Sequence, residues 1–167
     1  MIRTILYATD LGLYAPYVLQ HALALTRSFN AELHVVHAVE PMGLFADSVL
    51  QTYLDENTLK EMRTKGLNAV MGSIEQRVLE GFNDEMGEAC PHDMQLIREV
   101  RVLQGDPPQV ILTEAQRVSA DLLVIGSHSH GTTWDTPLGR TAQRLVQLSE
   151  APVYLVPMLQ HRGRGEL

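Results

Sequence analysis

The chain has 167 residues, 45% of them hydrophobic and 20% charged, with a formal net charge of −7. This suits one domain with one core, and the acidic balance argues against nucleic acid or an anionic membrane as a partner of the whole surface. The lone Cys90 cannot form an internal disulfide, no apolar run nears the ~20 residues that span a bilayer, and the opening Met1-Ile2-Arg3-Thr4-Ile5 has no signal-peptide apolar stretch, so a cytoplasmic protein is expected.

Residues 2–8 are β-rich and apolar and end in Thr9-Asp10. Residues 11–14 read as a turn. Residues 15–29 place Val18, Leu19, Ala22, Leu23 and Leu25 at helical spacing, with Asn30 as the stop. Residues 33–39 are a second buried strand, closed by Glu40-Pro41. This is the short-strand, long-helix alternation of a βαβ unit. Residues 42–53 read as a loop or short helical turn. Residues 55–79 carry a helical pattern weakened by Gly66 and Gly72, at about 1 kcal/mol each relative to Ala. Residues 81–93 read as a polar connection.

Residues 96–103 alternate, which fits a half-exposed edge strand. Gly105-Asp106-Pro107-Pro108 is a turn into a helix, with Asp106 as the candidate N-cap and Pro107 at the first position. That helix runs to about Val118. Leu122-Leu123-Val124-Ile125 is apolar without alternation, the mark of a strand buried on both faces. It ends in Gly126, a hydroxyl-rich loop follows, and a helix begins at Thr136 or Leu138 and runs to Leu148. Residues 152–156 form the last strand. A single domain over 1–158 and a disordered tail over 159–167 are expected.

The fold expected from these elements is α/β: an open five-stranded parallel sheet with helices on both faces. Ligands of such sheets bind at the carboxyl ends of the strands, where the order reverses. Spacing alone does not fix the order. With 3-2-1-4-5, the crevice falls between the ends of the first and fourth strands, Ala8-Thr9-Asp10 and Gly126-Ser127-His128. Asp10 then either caps the next helix or accepts hydrogen bonds from a ribose or base. Gly126 permits close backbone approach. Ser127, Ser129, Thr132 and Thr133 offer hydroxyls, or simply turn the chain. His128 and His130 invite a metal, with Asp135 as a third ligand, but no metal site is expected from so few clustered ligands. His34 and His37 lie on a strand and are read as packing or hydrogen-bonding residues.

Taken together, Ile5-Leu6-Tyr7-Ala8-Thr9-Asp10, Leu33-His34-Val35-Val36-His37-Ala38-Val39, Gly105-Asp106-Pro107, Ile125-Gly126-Ser127-His128 and Ala151-Pro152-Val153-Tyr154-Leu155-Val156 resemble the universal stress protein family over nearly the whole chain. The resemblance implies an adenine nucleotide alpha hydrolase-like fold, strand order 3-2-1-4-5, and a homodimer. ATP-binding members carry Gly-x2-Gly-x9-Gly-Ser/Thr. Here Gly126 and Gly139 stand at the first and last glycines, Ser129 replaces the middle one, and Arg140 replaces the hydroxyl residue, with Thr141 next in line. Ser129 resists a left-handed backbone. Arg140 either grips a phosphate or fills its place. Ala8, Thr9, Asp10 and Ala38 match positions that line the adenosine in the family.

The implied function is a stress-response regulatory module binding ATP, ADP or AMP, with Mg accompanying ATP, through Ala8, Thr9, Asp10, Ala38, Gly126, Ser127, His128, Ser129, Gly139, Arg140 and Thr141. The competing reading is a dimeric interaction protein with a vestigial pocket. An efficient enzyme is not expected, and the family resemblance leaves weak ATP hydrolysis open; the chain has no Gly-x4-Gly-Lys-Ser/Thr loop and no Gly-x-Ser-x-Gly elbow. The last strand, residues 153–156, is the expected dimer edge. No nucleic acid and no membrane partner is expected.

Overall fold

The structure is a computed structural model that describes residues 1–12, 14–40, 52, 55–57, 76–77, 80–81, 84, 93–128 and 138–157. The order of regular elements is β1 (Thr4–Thr9), α1 (Ala15–Phe29), β2 (Glu32–Val39), β3 (Ile97–Gln104), α2 (Pro107–Arg117), β4 (Leu122–Gly126), α3 (Arg140–Leu148) and β5 (Val153–Val156), with a 3-10 turn at Asp93–Leu96 ahead of β3. The strands form one sheet in the order β3-β2-β1-β4-β5. Every pairing is parallel.

The apolar runs explain why the sheet is covered on both faces. Successive strand residues point to opposite sides. Ile5, Tyr7, Leu33, Val35, Leu122 and Val124 pack with Val18, Leu19, Ala22 and Leu23 of α1. Leu6, Val36, Leu123 and Ile125 pack on the other face with Ile111 and Ala115 of α2 and Ala142 and Leu145 of α3. Burying each such Leu, Ile or Val contributes about 1.5–3 kcal/mol. In α1 the buried positions are Val18, Leu19, Ala22, Leu23 and Thr26, one stripe at helical spacing. Thr26 Oγ1 donates to the Ala22 carbonyl at 2.7 Å, so its hydroxyl is buried without penalty. Asn30 ends the helix in the left-handed region, φ 52° and ψ 46°, where Asn is tolerated better than most residues.

Polar clamps fix the flanks. Asp121 Oδ2 accepts the backbone N–H of Arg3 at 2.9 Å and of Thr4 at 3.0 Å. The Asp121 N–H donates to the Thr4 carbonyl at 2.8 Å. One residue thus sets β4 flush against the start of β1. Glu114 of α2 is only 3% exposed. Arg101 Nη1 of β3 reaches both its oxygens, at 2.9 and 3.1 Å, and Arg117 Nε and Nη2 reach Oε1 at 2.9 and 2.6 Å. Arg117 Nη2 also meets Glu99 Oε2 at 2.6 Å. The buried carboxylate is therefore paired, as a buried charge must be.

Some boundaries differ from the sequence expectation. Asp106 does occupy the N-cap of α2 with Pro107 behind it, but its side chain makes no capping hydrogen bond. The last helix starts at Arg140 with Gly139 as N-cap, later than Thr136 or Leu138. Gly81 and Asp84 are helical, within a stretch expected to be a connection. Gln76 Nε2 donates to Glu80 Oε1 at 2.9 Å, one helical turn on. A Cβ at Gly81 would meet nothing within 4 Å, so that glycine marks an exposed helical position rather than a break. The remainder of the expected loop at 42–53, helix at 55–79 and connection at 81–93 lies outside the described residues, as does the tail at 159–167.

The Arg3 and Thr4 N–H groups hold the Asp121 carboxyl below its ordinary value of 3.8. A carboxyl depressed on folding stabilises fully above its unfolded pKa, and that contribution is lost as pH falls through the folded one. Asp121→Ala is expected to melt below the wild type at pH 7. The gap is expected to close as the pH drops below about 4, read by thermal unfolding at the two pH values.

Candidate functional site

The parallel register brings the carboxyl ends of β1, β2 and β4 level. Ala8 faces Val36 on one side and Ile125 on the other, and Thr9 faces His37. A cavity of about 290 Å³ opens there. Thr9 and Asp10 line it from β1 and its loop, His37, Ala38 and Glu40 from β2, Gly126, Ser127 and His128 from β4, and Gly139, Thr141 and Ala142 from the start of α3. Asp10 and Ser127, remote in sequence, line the same cavity from opposite sides.

The loop after β1 is held by its own side chains. Thr9 Oγ1 accepts the Leu11 N–H at 3.1 Å, and Asp10 Oδ1 accepts the Gly12 N–H at 2.8 Å. Leu11 takes a left-handed backbone, φ 56°, which costs a residue with a Cβ about 1–2 kcal/mol. Strain of this kind is kept where surrounding bonds over-determine it. A Cβ at Gly12 would lie 3.0 Å from Asp10 Oδ2, so glycine leaves room for the carboxylate. Asp10 does not cap α1: Tyr14 holds that position, and no side chain caps it. Tyr7, buried at 1% exposure, donates its hydroxyl to the Ala15 carbonyl at 3.0 Å and fastens α1 to the cavity floor.

Ser127 is the junction of the opposite wall. Its N–H donates to the Val156 carbonyl at 2.9 Å, and its carbonyl accepts the Gly139 N–H at 3.0 Å. Its Oγ lies 2.8 Å from His128 Nδ1. The loop that leaves β4 is thus closed at its base, and β5 is tied to the same residue. Gly126 does not need its glycine for backbone reasons. A Cβ there would sit 3.4 Å from Val18 Cγ2, an ordinary contact.

Of the residues the sequence proposed, Ala8, Thr9, Asp10, Ala38, Gly126, Ser127, His128, Gly139 and Thr141 line the cavity. Arg140 does not: it is exposed at the first position of α3. Ser129 lies outside the described residues, as do His130 and Asp135. Among the described residues no group of three His, Cys, Asp or Glu side chains gathers as for a metal. Tyr7, Tyr14 and Glu40 are polar wall residues that the sequence reading did not place in a site, and His37, read there as a packing or hydrogen-bonding residue, makes that bond to Thr9 and lines the wall as well. Glu40 and His37 sit at the carboxyl end of β2, as Thr9 and Asp10 do on β1, so the strand-end rule that selected Asp10 points to them too. Tyr14 precedes a helix and had no such signal. Asp10 and Glu40 are the carboxylates of the wall, and among the described residues no lysine or arginine lines it.

Known proteins share this architecture. A universal stress protein from Thermus aquaticus, in the QAH/OAS sulfhydrylase 3'region, is 31% identical over 157 residues, covering 93% of this chain and 99% of that protein. The solved structure of MJ0577, whose sequence is from Methanocaldococcus jannaschii, superposes with a TM-score of 0.62 at 18% identity, over 96% of this chain and 99% of that one. A universal stress protein in complex with cAMP superposes with a TM-score of 0.56 at 19% identity, over 93% and 97%. The shared architecture is the adenine nucleotide alpha hydrolase-like fold. The sequence profile of the universal stress protein family matches residues 1–157. Matched over nearly its full length, the chain belongs to the universal stress protein family.

Proposed function

We propose that this chain is a stress-response regulatory protein that binds an adenine nucleotide in the crevice between β1 and β4. The observation that carries this reading is the single cavity that Asp10 and Ser127 line from either side at the point where the strand order reverses. In this reading Asp10 accepts from the ribose, the Ala38 backbone meets the adenine, and Gly126, Ser127, His128, Gly139 and Thr141 face the phosphate side. The solved relative in complex with cAMP supports an adenine ligand. At about 290 Å³ the cavity sits near the ~300 Å³ floor of small-molecule pockets. That size favours AMP or ADP over ATP. Magnesium, where ATP binds, enters on the phosphates, as is usual for that ion. The role is regulatory rather than strongly catalytic. The lone Cys90 supports a reducing compartment, which we take to be the cytoplasm.

A ligand at 100 times its Kd stabilises the folded state by about 2.7 kcal/mol. For a domain of this size that raises Tm by about 5–10 °C. Titration with AMP, ADP and ATP is expected to show that rise for at least AMP, and no shift at millimolar ligand ends the proposal. Gly126→Ala is expected to fold normally, since its Cβ meets only ordinary contacts. It is expected to weaken AMP binding about tenfold, roughly 1.4 kcal/mol, by keeping the ligand off the backbone.

Arg140 is exposed, but it stands between two wall residues, Gly139 and Thr141. In the nucleotide reading it reaches outer phosphates from the rim. Arg140→Ala is expected to reduce ATP affinity by about tenfold or more, the scale of one charge-assisted hydrogen bond, and AMP affinity much less. Calorimetry on both ligands reads the difference. The second reading, a vestigial pocket, is favoured by the absence of Arg140 from the wall; equal and negligible binding of all three nucleotides would select it.

The protein pairs through β5 in either reading. Among the described strands β5 is bonded on one side only, to β4, and Leu155, Val146 and Leu148 are exposed on β5 and α3. Light scattering at micromolar concentration is expected to give twice the 18.6 kDa chain mass. A monomer mass rejects the dimer.

A further inference from the structure

We infer that His37 selects the ligand by accepting a hydrogen bond from an exocyclic amino group on its base; the inference rests on the nucleotide reading above. His37 is paired in register with Thr9, and its Nδ1 lies 2.8 Å from the Thr9 carbonyl oxygen. A carbonyl can only accept, so Nδ1 carries the hydrogen. In a neutral imidazole the other nitrogen then holds a lone pair and no hydrogen. The Thr9 carbonyl is the hydrogen-bond partner of the ring among the described residues, which leaves Nε2 to a ligand, and His37 lines the cavity.

The tautomer makes this group a discriminator. The hydroxyls of Thr9, Ser127 and Thr141 rotate and can donate or accept, so they do not tell an amine from a carbonyl. A neutral His37 with Nδ1–H fixed on Thr9 can only accept. The neighbouring carboxylates, Asp10 and Glu40, are acceptors as well, and no described lysine or arginine on the wall offers a competing donor. The β1–β2 side of the cavity is therefore acceptor-rich. A 6-aminopurine satisfies it. A 6-oxopurine sets its carbonyl against the imidazole lone pair and can satisfy that lone pair only by shifting to present its N1–H, a mismatch that costs affinity in a site built for hydrogen bonding.

The test compares AMP, IMP and purine riboside 5'-monophosphate, which has hydrogen at position 6, by calorimetry at pH 8 with the wild type and His37→Asn. Asparagine places its amide nitrogen near the former Nδ1, so it keeps the donor to the Thr9 carbonyl and deletes the Nε2 acceptor. A melting temperature close to wild type reports that the clamp between β1 and β2 survives. The wild type is expected to prefer AMP over IMP by about tenfold or more, with the unsubstituted purine between them. In His37→Asn the AMP to IMP ratio is expected to fall to about two. Equal wild-type affinity for AMP and IMP, or a ratio kept in His37→Asn, overturns the role of His37 and leaves the nucleotide site standing. If His37→Asn fails to fold, nitrogen NMR of the wild-type imidazole decides: the His37 Nε2 resonance is expected to move upfield with AMP and not with purine riboside 5'-monophosphate, and an unmoved resonance overturns the role of His37. No binding of any of the three removes the site and this inference together.

Discussion

Strand β1 is held on both edges by parallel partners and on both faces by helices, and its position at the centre governs the molecule. The β2 strand lies on one side and β4 on the other. The chain reaches β2 by crossing one face through α1, and it reaches β4 by way of α2 on the opposite face. Loops leaving β1 and β4 are therefore carried to opposite faces, and a gap remains between them. The cavity is the consequence of that reversal rather than of any particular side chain. What the side chains decide is how the gap is lined.

The lining is rigid in a specific way. The Thr9 and Asp10 side chains spend hydrogen-bonding capacity on their own loop, at Leu11 and Gly12. Ser127 spends its backbone groups on β5 and on the start of α3. The Thr9 and Asp10 side chains keep further acceptor sites, because carboxylate and hydroxyl oxygens carry more than one lone pair. The walls are thus assembled before a ligand arrives, which reduces the ordering cost of binding. The left-handed Leu11 is part of the same arrangement: without the two short side-chain bonds the backbone would relax toward a less costly conformation.

Much of this was legible in the residues. The unbroken apolar run at Leu122 to Ile125 could only be a strand covered on both faces, and it is. The α1 stripe was visible as spacing, and Asn30 as a stop. Strand order was not readable from spacing, because parallel strands of equal polarity can be permuted without altering any local pattern; the family resemblance supplied it. Of the two cap candidates, Asp106 holds the N-cap position and Asp10 does not, for a physical reason. Asp10 and Asp106 have the right chemistry for a helix N-terminus, but Asp10 turns back two residues onto Gly12, and Asp106 has its backbone in the cap position without its side chain. His37 was legible as a hydrogen-bonding strand residue, and its bond to the Thr9 carbonyl agrees; that it ends beside Thr9 at the cavity follows only from the sheet register.

The two margins of the sheet are unlike each other. On β3 the side chains include Arg98, Glu99 and Arg101, the last two engaged with α2 through Glu114 and Arg117. Charge of this kind discourages another strand from docking. On β5 the sequence is Val-Tyr-Leu-Val, with Tyr154 satisfied inward by His21 at 3.0 Å. In the pairing proposed through β5 the stoichiometry is fixed: two copies consume each other's open margin, and the charged β3 margin gives growth into a fibre nowhere to continue.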